Sequence, residues 1–349
     1  MSEHPEALAA QHDVLLLDLD GTVYLSGQII DHVAESLLAA RGLGARSMFV
    51  TNNASRSPRT VAAALTEMGV AAAPEDVLTS PEAAAGLLAD RHPAGSKVLV
   101  VGAPFLAETM TAAGLVPVRT VAEEPVAVVQ GHSPDTCWQN LAEACLALRA
   151  GADWVACNTD TTLPTDRGLL PGNGAMVQAL VAATGLRPRV AGKPNSPLLE
   201  QAVDRAGGRR PLVVGDRLDT DIEAAVTAGM PSLLVLTGVS GAADLVAAPV
   251  ERRPTHLAFD LRGLVDATRA VCIETAAAPG WALSVDGDTG VIAGPDDESD
   301  LLPALAMIAR TAWRTPVSRW RAEGATAQSV LGRWGLTASS VSTAAAGHG

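Results

Sequence analysis

Short apolar runs recur along the chain, and most of them end in polar residues or glycine. The run Val14–Leu17 is apolar without alternation, which is typical of a strand buried on both faces of a parallel sheet. Similar runs predict further strands at 47–50, 97–101, 126–130, 154–158, 212–214 and 232–236. Helices are predicted between them at 31–41, 58–68, 81–90, 105–113, 135–149, 174–184, 196–206 and before residue 228. This alternation favours right-handed βαβ units and a parallel sheet.

The fold predicted from this order is α/β, with a doubly wound, Rossmann-like parallel sheet as its core. Residues 81–188 carry their own strands and helices between two halves of that core, so they predict an inserted α/β domain. The core then comprises residues 1–80 and 189–270. Asp31 is the predicted N-cap of the first helix, and Ser57 with Pro58 opens the next.

The pattern changes after Cys272, where we expect a small α+β extension over residues 271–349. Residues 281–285 alternate like a strand, 286–288 suit a hairpin turn, and 301–313 have a helical pattern rich in apolar residues. These elements are too few for an independent catalytic domain. We expect them to pack against the core, or to make a regulatory or oligomer contact, and residues 337–349 to be disordered.

Composition narrows the class of protein. The chain has 349 residues, 48% of them apolar and 18% charged, which predicts two or three domains with large cores. It contains no apolar run of about 18 residues, and its first residues lack the pattern of a signal peptide. Four scattered cysteines without a C-x-x-C pair predict free thiols and a cytoplasmic location. A net charge of −13 argues against a nucleic-acid partner.

Lysine is scarce in this chain, which makes each lysine informative. Of the 25 basic residues, 23 are arginine, and the two lysines are Lys97 and Lys193. Because Lys193 lies in the sequence Ala-Gly-Lys-Pro at the start of a predicted helix, we treat it as a candidate functional residue.

Four polar clusters follow predicted strands or open predicted helices. They are Asp18 with Asp20, Thr51 with Asn52, Lys193, and Asp216 with Asp221. In a doubly wound sheet all four would gather at the carboxyl edge, where ligands bind. Carboxylates suit Mg²⁺, while a lysine, a hydroxyl and an amide suit phosphate oxygens, so the set predicts phosphoryl transfer. Taken singly, each cluster is also compatible with a turn, an Asx hydrogen bond or a surface charge.

The segments DLDGT, TNN, GKP and GDRLDTD, in this order, resemble the four motifs of the haloacid dehalogenase superfamily. Residues 158–160 and 171–174 resemble the branch that carries a large α/β cap. That branch includes 4-nitrophenyl phosphatases, phosphoglycolate phosphatases and glycerol-3-phosphate phosphatases. The resemblance covers about Val14 to Leu264 and does not extend to the C-terminal extension.

The resemblance implies a role for each acidic residue. Asp18 would be the nucleophile that forms an aspartyl-phosphate, and its carboxylate would bind Mg²⁺. Asp20 would protonate the leaving alcohol and then deprotonate water, and its backbone carbonyl would be a second metal ligand. Asp216 would be the third ligand, and Asp221 would hold a metal-bound water. Asp219 is expected to cap a helix.

The resemblance also implies a phosphate-binding set. Thr51, the backbone of Asn52, Lys193 and Gly21 would bind the phosphoryl oxygens. Asn158 and Asp160 are expected to be hinge residues. Gly172 and Gly174 are expected to serve backbone geometry at a helix start.

The substrate would be chosen by the cap, whose loop 131–135 follows a predicted strand. His132 is a candidate substrate contact, although an exposed loop histidine is an equally good interpretation, and Trp138 is a nearby aromatic. A small phosphomonoester fits best. We favour glycerol 3-phosphate, because the loop has no convincing basic residue for a substrate carboxylate. The alternatives are a 2-phosphoglycolate phosphatase, a phosphotransferase or a phosphometabolite sensor. A homodimer through the cap or the extension is also predicted.

Overall fold

The computed structural model describes residues 6–54, 56–165 and 167–336. The predicted disorder of residues 337–349 therefore lies outside the described residues. The strands are β1 Val14–Leu17, β2 Tyr24–Leu25, β3 Gln28–Ile29, β4 Arg46–Thr51, β5 Val77–Thr79, β6 Lys97–Val101, β7 Val116–Val118, β8 Ala127–Gln130, β9 Asp153–Ala156, β10 Thr162–Thr165, β11 Gly168–Pro171, β12 Arg189–Val190, β13 Pro211–Gly215, β14 Ser232–Val235, β15 His256–Ala258, β16 Ala270–Cys272, β17 Ala282–Asp286, β18 Thr289–Ala293 and β19 Arg319–Glu323.

The α-helices are α1 Leu8–Gln11, α2 Val33–Gly42, α3 Pro58–Glu67, α4 Ser80–Ala89, α5 Pro104–Ala112, α6 Trp138–Arg149, α7 Asn173–Thr184, α8 Pro197–Ala206, α9 Glu223–Thr227, α10 Ala242–Val246, α11 Leu301–Arg314 and α12 Ala325–Arg333. Ser57 caps α3 as predicted, since its hydroxyl accepts a hydrogen bond from the Thr60 amide at 3.2 Å. The prediction of Asp31 as the N-cap of α2 was wrong. His32 occupies that position, with φ at +67° and no side-chain capping bond.

The predicted α/β fold is confirmed. The strands β13, β14, β15 and β16 pair in that order, and every residue of β1 and β14 is buried. The pairs β13–β14, β14–β15 and β4–β5 are parallel, while β16 is an antiparallel edge strand. The non-alternating apolar runs are therefore strands covered on both faces, as the sequence pattern predicts.

The described residues fall into two compact units. The first holds residues 6–15, 20–45 and 212–336. One hydrophobic cluster of this unit draws side chains from β14 and β15, from α10 and α11, and from the three-stranded sheet β17-β18-β19. In that small sheet β17 pairs with β18 as an antiparallel hairpin, which confirms the predicted turn at 286–288.

The second unit holds residues 16–19, 46–54, 56–165 and 167–211. It contains a five-stranded sheet of the order β12-β9-β8-β6-β7, in which the strand pairs are parallel. The helices α6 and α7 cover one face of this sheet through a cluster that includes Val128, Leu148, Trp154 and Val177. The antiparallel hairpin β10–β11 precedes α7. Among the described residues no helix combines the length and the apolar character needed to cross a membrane.

Candidate active site

Lys193 is one of the most deeply buried charged residues, and it forms an ion pair with Asp18. Its Nζ atom lies 2.5 Å from Asp18 Oδ1 and donates a second hydrogen bond to the Val50 carbonyl at 3.3 Å. The Lys193 side chain is 2% exposed and that of Asp18 is 14% exposed. A buried ammonium persists only where opposite charge and hydrogen bonds replace its water. The structure thus brings together two of the predicted site residues that lie 175 positions apart.

The side chain of Asn52 holds the backbone of Lys193 from both sides. Asn52 Oδ1 accepts a hydrogen bond from the Lys193 amide at 2.8 Å, and Asn52 Nδ2 donates one to the Lys193 carbonyl at 2.9 Å. Gly192 fits beside this contact because a Cβ there would lie 2.5 Å from Asn52 Oδ1 and 2.6 Å from the Cys157 carbonyl. The sequence assigned only the backbone of Asn52, so this side-chain contact is an addition to the predicted site.

Two further asparagines continue the hydrogen bonds away from Asn52. Asn158 Nδ2 donates to the Asn52 carbonyl at 2.9 Å, and Asn173 Nδ2 donates to the Asn158 carbonyl at 2.7 Å. Both asparagines are buried. Asn158, expected as a hinge residue, therefore supports the loop that follows β4. Asp160 lies at the edge of this network, where its carboxylate accepts from Asn52 Nδ2 at 3.5 Å.

The glycines of the segment 171–174 allow the start of α7 to approach this network. A Cβ on Gly172 would lie 2.3 Å from the Asp160 carbonyl oxygen, and one on Gly174 would lie 2.1 Å from that of Thr159. Both distances exclude a side chain. This observation agrees with the expectation that the two glycines serve backbone geometry at a helix start.

Thr51 is the last residue of β4 and is buried. Its hydroxyl oxygen accepts a hydrogen bond from the Asn53 amide at 3.1 Å, which shapes the turn after the strand. A hydroxyl that accepts one hydrogen bond can still donate its own proton. Thr51 is therefore able to donate to an anion at the end of β4.

Asp20 and Gly21 lie in the turn that leaves β1. Asp20 is exposed, and Oδ2 accepts a hydrogen bond from the Tyr24 hydroxyl at 3.4 Å. Gly21 has φ at +91°, and a Cβ there would lie 2.4 Å from Asp216 Oδ2. Its carbonyl accepts from the Thr237 hydroxyl at 2.6 Å. Position 21 thus requires glycine both for its backbone conformation and for its contact with a carboxylate.

Asp216 follows β13 and has no exposed surface. Its Oδ2 atom accepts a hydrogen bond from the Val239 amide at 2.7 Å, and Oδ1 accepts one from the Thr22 hydroxyl at 3.3 Å. A Cβ on Gly238 would lie 2.0 Å from Oδ2, so the loop backbone approaches the carboxylate closely. The orientation of this buried carboxylate is set by the segment 237–240.

Asp221 lies in a π-helical turn, Leu218–Ile222, that begins the helical segment after β13. It is buried, and Oδ2 accepts a hydrogen bond from the Arg217 amide at 3.1 Å. π-Helical turns are rare and often occur at functional sites. The neighbouring Asp219 does not cap a helix as predicted. Its carboxylate forms two hydrogen bonds with the Arg217 guanidinium, at 3.0 and 2.9 Å.

The environment of Asp219 also separates it from the buried carboxylates. Burial raises the pKa of Asp219, but the hydrogen bonds and the charge of Arg217 outweigh burial and hold the pKa below its ordinary value. Asp219 is therefore a structural ion-pair partner. It plays no part in the group of carboxylates that could bind a metal ion.

Asp216 and Asp221, both in the first unit, are buried carboxylates suited to a divalent cation. Each offers one oxygen, and the two oxygens lie within 4.8 Å of each other. Carboxylates this close repel each other unless a cation or a proton lies among them. Hard oxygen ligands of this kind match Mg²⁺. The donor set of the described residues therefore fits the predicted metal.

The loop after β8 lies against the loop after β4. A Cβ on Gly131 would be in van der Waals contact with Ala54 Cβ, at 3.7 Å. His132 follows, partly buried, and within the described residues its Nδ1 atom has no hydrogen-bond partner. Gln130 is fully buried, and within the described residues its Nε2 and Oε1 atoms also have no hydrogen-bond partner. The sequence analysis did not identify this residue. Trp138 is 75% exposed.

Two family models match the chain. Residues 15–116 match a haloacid dehalogenase-like hydrolase model, and residues 190–264 match a second HAD-hydrolase-like model. Together these ranges contain the four motifs from Asp18 to Asp221. Residues 117–189 and the C-terminal extension lie outside both ranges.

Similar proteins include a D-glycerol 3-phosphate phosphatase of Mycobacterium tuberculosis (strain ATCC 25618 / H37Rv). It is 48% identical over 344 residues, which is 95% of this chain and 96% of that protein. A crystal structure of a glycerol phosphate phosphatase from M. tuberculosis in complex with magnesium is 49% identical. It has a TM-score of 0.89 and covers 96% of this chain and 100% of that one. A 4-nitrophenylphosphatase from Thermotoga maritima is 31% identical with a TM-score of 0.68, over 74% of this chain and 98% of that one.

Proposed function

The chain belongs to the haloacid dehalogenase-like hydrolases, and we propose that it hydrolyses glycerol 3-phosphate to glycerol and phosphate, with Mg²⁺ as its cofactor. The main structural support for phosphoryl transfer is the buried ion pair between Lys193 and Asp18. Similarity to the D-glycerol 3-phosphate phosphatase over nearly the whole chain supports the substrate.

Asp18 is the proposed nucleophile. One of its carboxylate oxygens attacks phosphorus, an aspartyl-phosphate forms, and the bond from phosphorus to the leaving glycerol oxygen breaks. Lys193 places positive charge where the phosphoryl oxygens gather, and an ammonium has three protons to share among Asp18, Val50 and the substrate. The Thr51 hydroxyl and the backbone amide of Asn52 are the proposed donors to the other phosphoryl oxygens.

Asp20 is the proposed general acid and base. It gives its proton to the leaving oxygen of glycerol, and as a carboxylate it then accepts a proton from water. That water attacks phosphorus, the bond to Asp18 breaks, and inorganic phosphate leaves. Because Asp20 is exposed whereas Asp18 lies beside Lys193, the charged form of Asp18 receives the stronger stabilisation. Asp18 is therefore the carboxylate better suited to act as the nucleophile, which leaves proton transfer to Asp20.

Asp18 and Asp216 would hold Mg²⁺ through carboxylate oxygens, together with the backbone carbonyl of Asp20. Asp221 is buried near Asp216 and is suited to a metal-bound water or to direct ligation. When bound, the cation supplies positive charge that lets an anionic nucleophile and an anionic substrate approach each other. Mg²⁺ bound to proteins usually keeps several of its water ligands, so a few carboxylate oxygens are enough to hold it.

We also propose that residues 81–188 form a cap domain and that segments 1–80 and 189–270 form the core. The cap would select the substrate. The close approach of Gly131 to Ala54 and the hydrogen bond from Asn158 to Asn52 support this assignment. His132 and Gln130 bring hydrogen-bonding groups to that part of the second unit. Such groups match the hydroxyls of glycerol better than they match an apolar leaving group.

The test is phosphate release from a panel of glycerol 3-phosphate, 2-phosphoglycolate and 4-nitrophenyl phosphate, each with Mg²⁺ and with a chelator. We expect metal-dependent release with the highest kcat/KM for glycerol 3-phosphate. Preference for 2-phosphoglycolate would keep the mechanism and overturn the substrate. Transfer of phosphate to added alcohol in place of water would identify a phosphotransferase, and no release from any compound would favour a sensor.

The cytoplasmic location and the assembly state stay predictions. The four free cysteines support a reducing compartment, and a net charge of −13 disfavours a polyanionic partner. A homodimer through the cap or the C-terminal extension is tested directly by light scattering of the purified chain.

A further inference from the structure

The C-terminal extension shares one hydrophobic core with the turn that carries Asp221. Leu218 and Ile222, at the two ends of the π-helical turn, belong to the same buried cluster as side chains from the extension. The members from α11 are Leu302, Leu305 and Ile308, and those from later elements are Trp320, Val330 and Leu331. The extension is therefore continuous in packing with the part of the core that presents two of the three carboxylates.

The most specific contact of the extension is made by Trp313, near the end of α11. Its indole Nε1 donates a hydrogen bond to the Leu245 carbonyl of α10 at 3.0 Å. The guanidinium of Arg253 lies 5.1 Å from the centre of the Trp313 ring, within the range of a cation–π contact. The last turn of α10 is thus tied to the extension by a directional bond as well as by packing.

The start of α10 is connected to Asp216 by hydrogen bonds. The helix starts at Ala242, directly after the loop whose Val239 amide donates to Asp216 Oδ2 at 2.7 Å. The Ser240 amide donates to the Asp216 carbonyl at 3.1 Å, and the Ser240 hydroxyl accepts from the Leu218 amide at 3.0 Å. A displacement of α10 would therefore move the donors that orient the Asp216 carboxylate.

We propose that the C-terminal extension positions the metal-binding carboxylates, with Trp313 acting through α10 on Asp216 and so setting the affinity for Mg²⁺. This inference rests on the proposed role of Asp216 as a metal ligand. Trp313 is a positioning residue that touches neither the metal nor the substrate. The extension thereby acquires a function in a protein whose four motifs all precede residue 222.

The test is calorimetric titration of Mg²⁺ into the full chain without substrate, comparing the wild type with Trp313→Phe. Phenylalanine keeps an aromatic ring under Arg253 but removes the N–H donor. Because a hydrogen bond of this kind contributes a factor of about three to ten, we expect the Kd for Mg²⁺ to rise by about that factor. Excess Mg²⁺ should restore kcat, with KM for the substrate unchanged.

The matched control is Trp320→Phe, since the Trp320 ring belongs to the same extension but lies against Gly290. Arg253→Met is a second variant, which leaves the indole donor in place and should weaken Mg²⁺ binding less. Equal Kd values for the wild type and Trp313→Phe would overturn the inference, and equal weakening in the Trp320→Phe control would overturn the specific route from Trp313 through α10. A wild type that binds Mg²⁺ but releases no phosphate would instead refute the proposed function and leave this test intact.

Discussion

The contact between Asn52 and Lys193 gives the sharpest prediction. Asn52→Ala removes the acceptor for the Lys193 amide and the donor to its carbonyl, while the Asn52 backbone stays in place. Each lost hydrogen bond costs about 1 kcal/mol, so the pair costs about 2 kcal/mol. Lys193 Nζ lies on a buried side chain whose position depends on that backbone. If the whole loss reaches the transition state, kcat/KM falls by about 30-fold.

The assay is steady-state phosphate release from glycerol 3-phosphate at saturating Mg²⁺, together with inhibition by inorganic phosphate. We expect kcat/KM to fall and the inhibition constant for phosphate to rise, because both depend on the Lys193 ammonium. The matched control is Asn53→Ala at the neighbouring exposed position, which leaves both bonds to Lys193 intact. A similar loss in both variants would show a general effect on the loop.

Thermal unfolding separates the catalytic role of Asn52 from a structural one. The same two hydrogen bonds contribute to folding, so a lower Tm alone does not establish positioning. The reasoning is refuted if Asn52→Ala retains wild-type kcat/KM and phosphate inhibition below its Tm. That result would mean that the Lys193 ammonium holds its place without the asparagine.

Three further predictions concern single residues. Asp18→Asn should remain folded and lose turnover, and phosphate release within tenfold of the wild type would exclude Asp18 as the nucleophile. Burial raises the pKa of Cys157 to about 12, so a thiol reagent at neutral pH should label Cys157 only after unfolding, as mass spectrometry would report. Hydrogen bonds from Ser318 and Arg319 lower the pKa of Asp288 to about 2. Because the pKa of Asp288 is lower in the folded protein than in the unfolded one, its charged form stabilises the fold at neutral pH. This contribution should disappear as the pH falls from about 4 to about 2. Asp288→Asn should therefore lose less stability than the wild type over that range.

The sheets were predictable because buried parallel strands leave a strong local pattern. All eight predicted strands exist, with ends shifted by at most two residues, and Lys97–Val101 agrees at both ends. The hairpin β10–β11 was missed because its leucines, such as Leu169 at 69% exposure, face outward without alternation. The π-helical turn 218–222 was missed because its hydrogen-bond spacing has no signature in the order of apolar residues.

The site was predictable to the level of motifs and no further. Three of the four polar clusters follow predicted strands and the fourth opens a predicted helix, so a parallel topology predicts that they share an edge. The partner of the Asn52 side chain lies 141 positions away, and nothing local distinguishes that asparagine from an ordinary turn residue. Asn158 and Asn173 escape sequence analysis for the same reason. The glycines near these contacts are the sequence feature that could have indicated them. A Cβ on Gly192 or on Gly174 would collide with a neighbouring atom, so each marks a close approach of the backbone.

The scarcity of lysine now has a physical explanation at one of its two positions. Arginine serves the surface ion pairs of this chain, where its planar fork binds carboxylates such as Asp260 and Asp219. At position 193 the cation is 2% exposed and must reach both Asp18 and the Val50 carbonyl, which leaves room for a compact ammonium. A guanidinium is wider and holds its donors in one plane, so it could not direct protons to these two acceptors and to a phosphoryl group together. A chain that uses arginine almost everywhere therefore keeps lysine where the geometry of phosphoryl transfer requires a point charge.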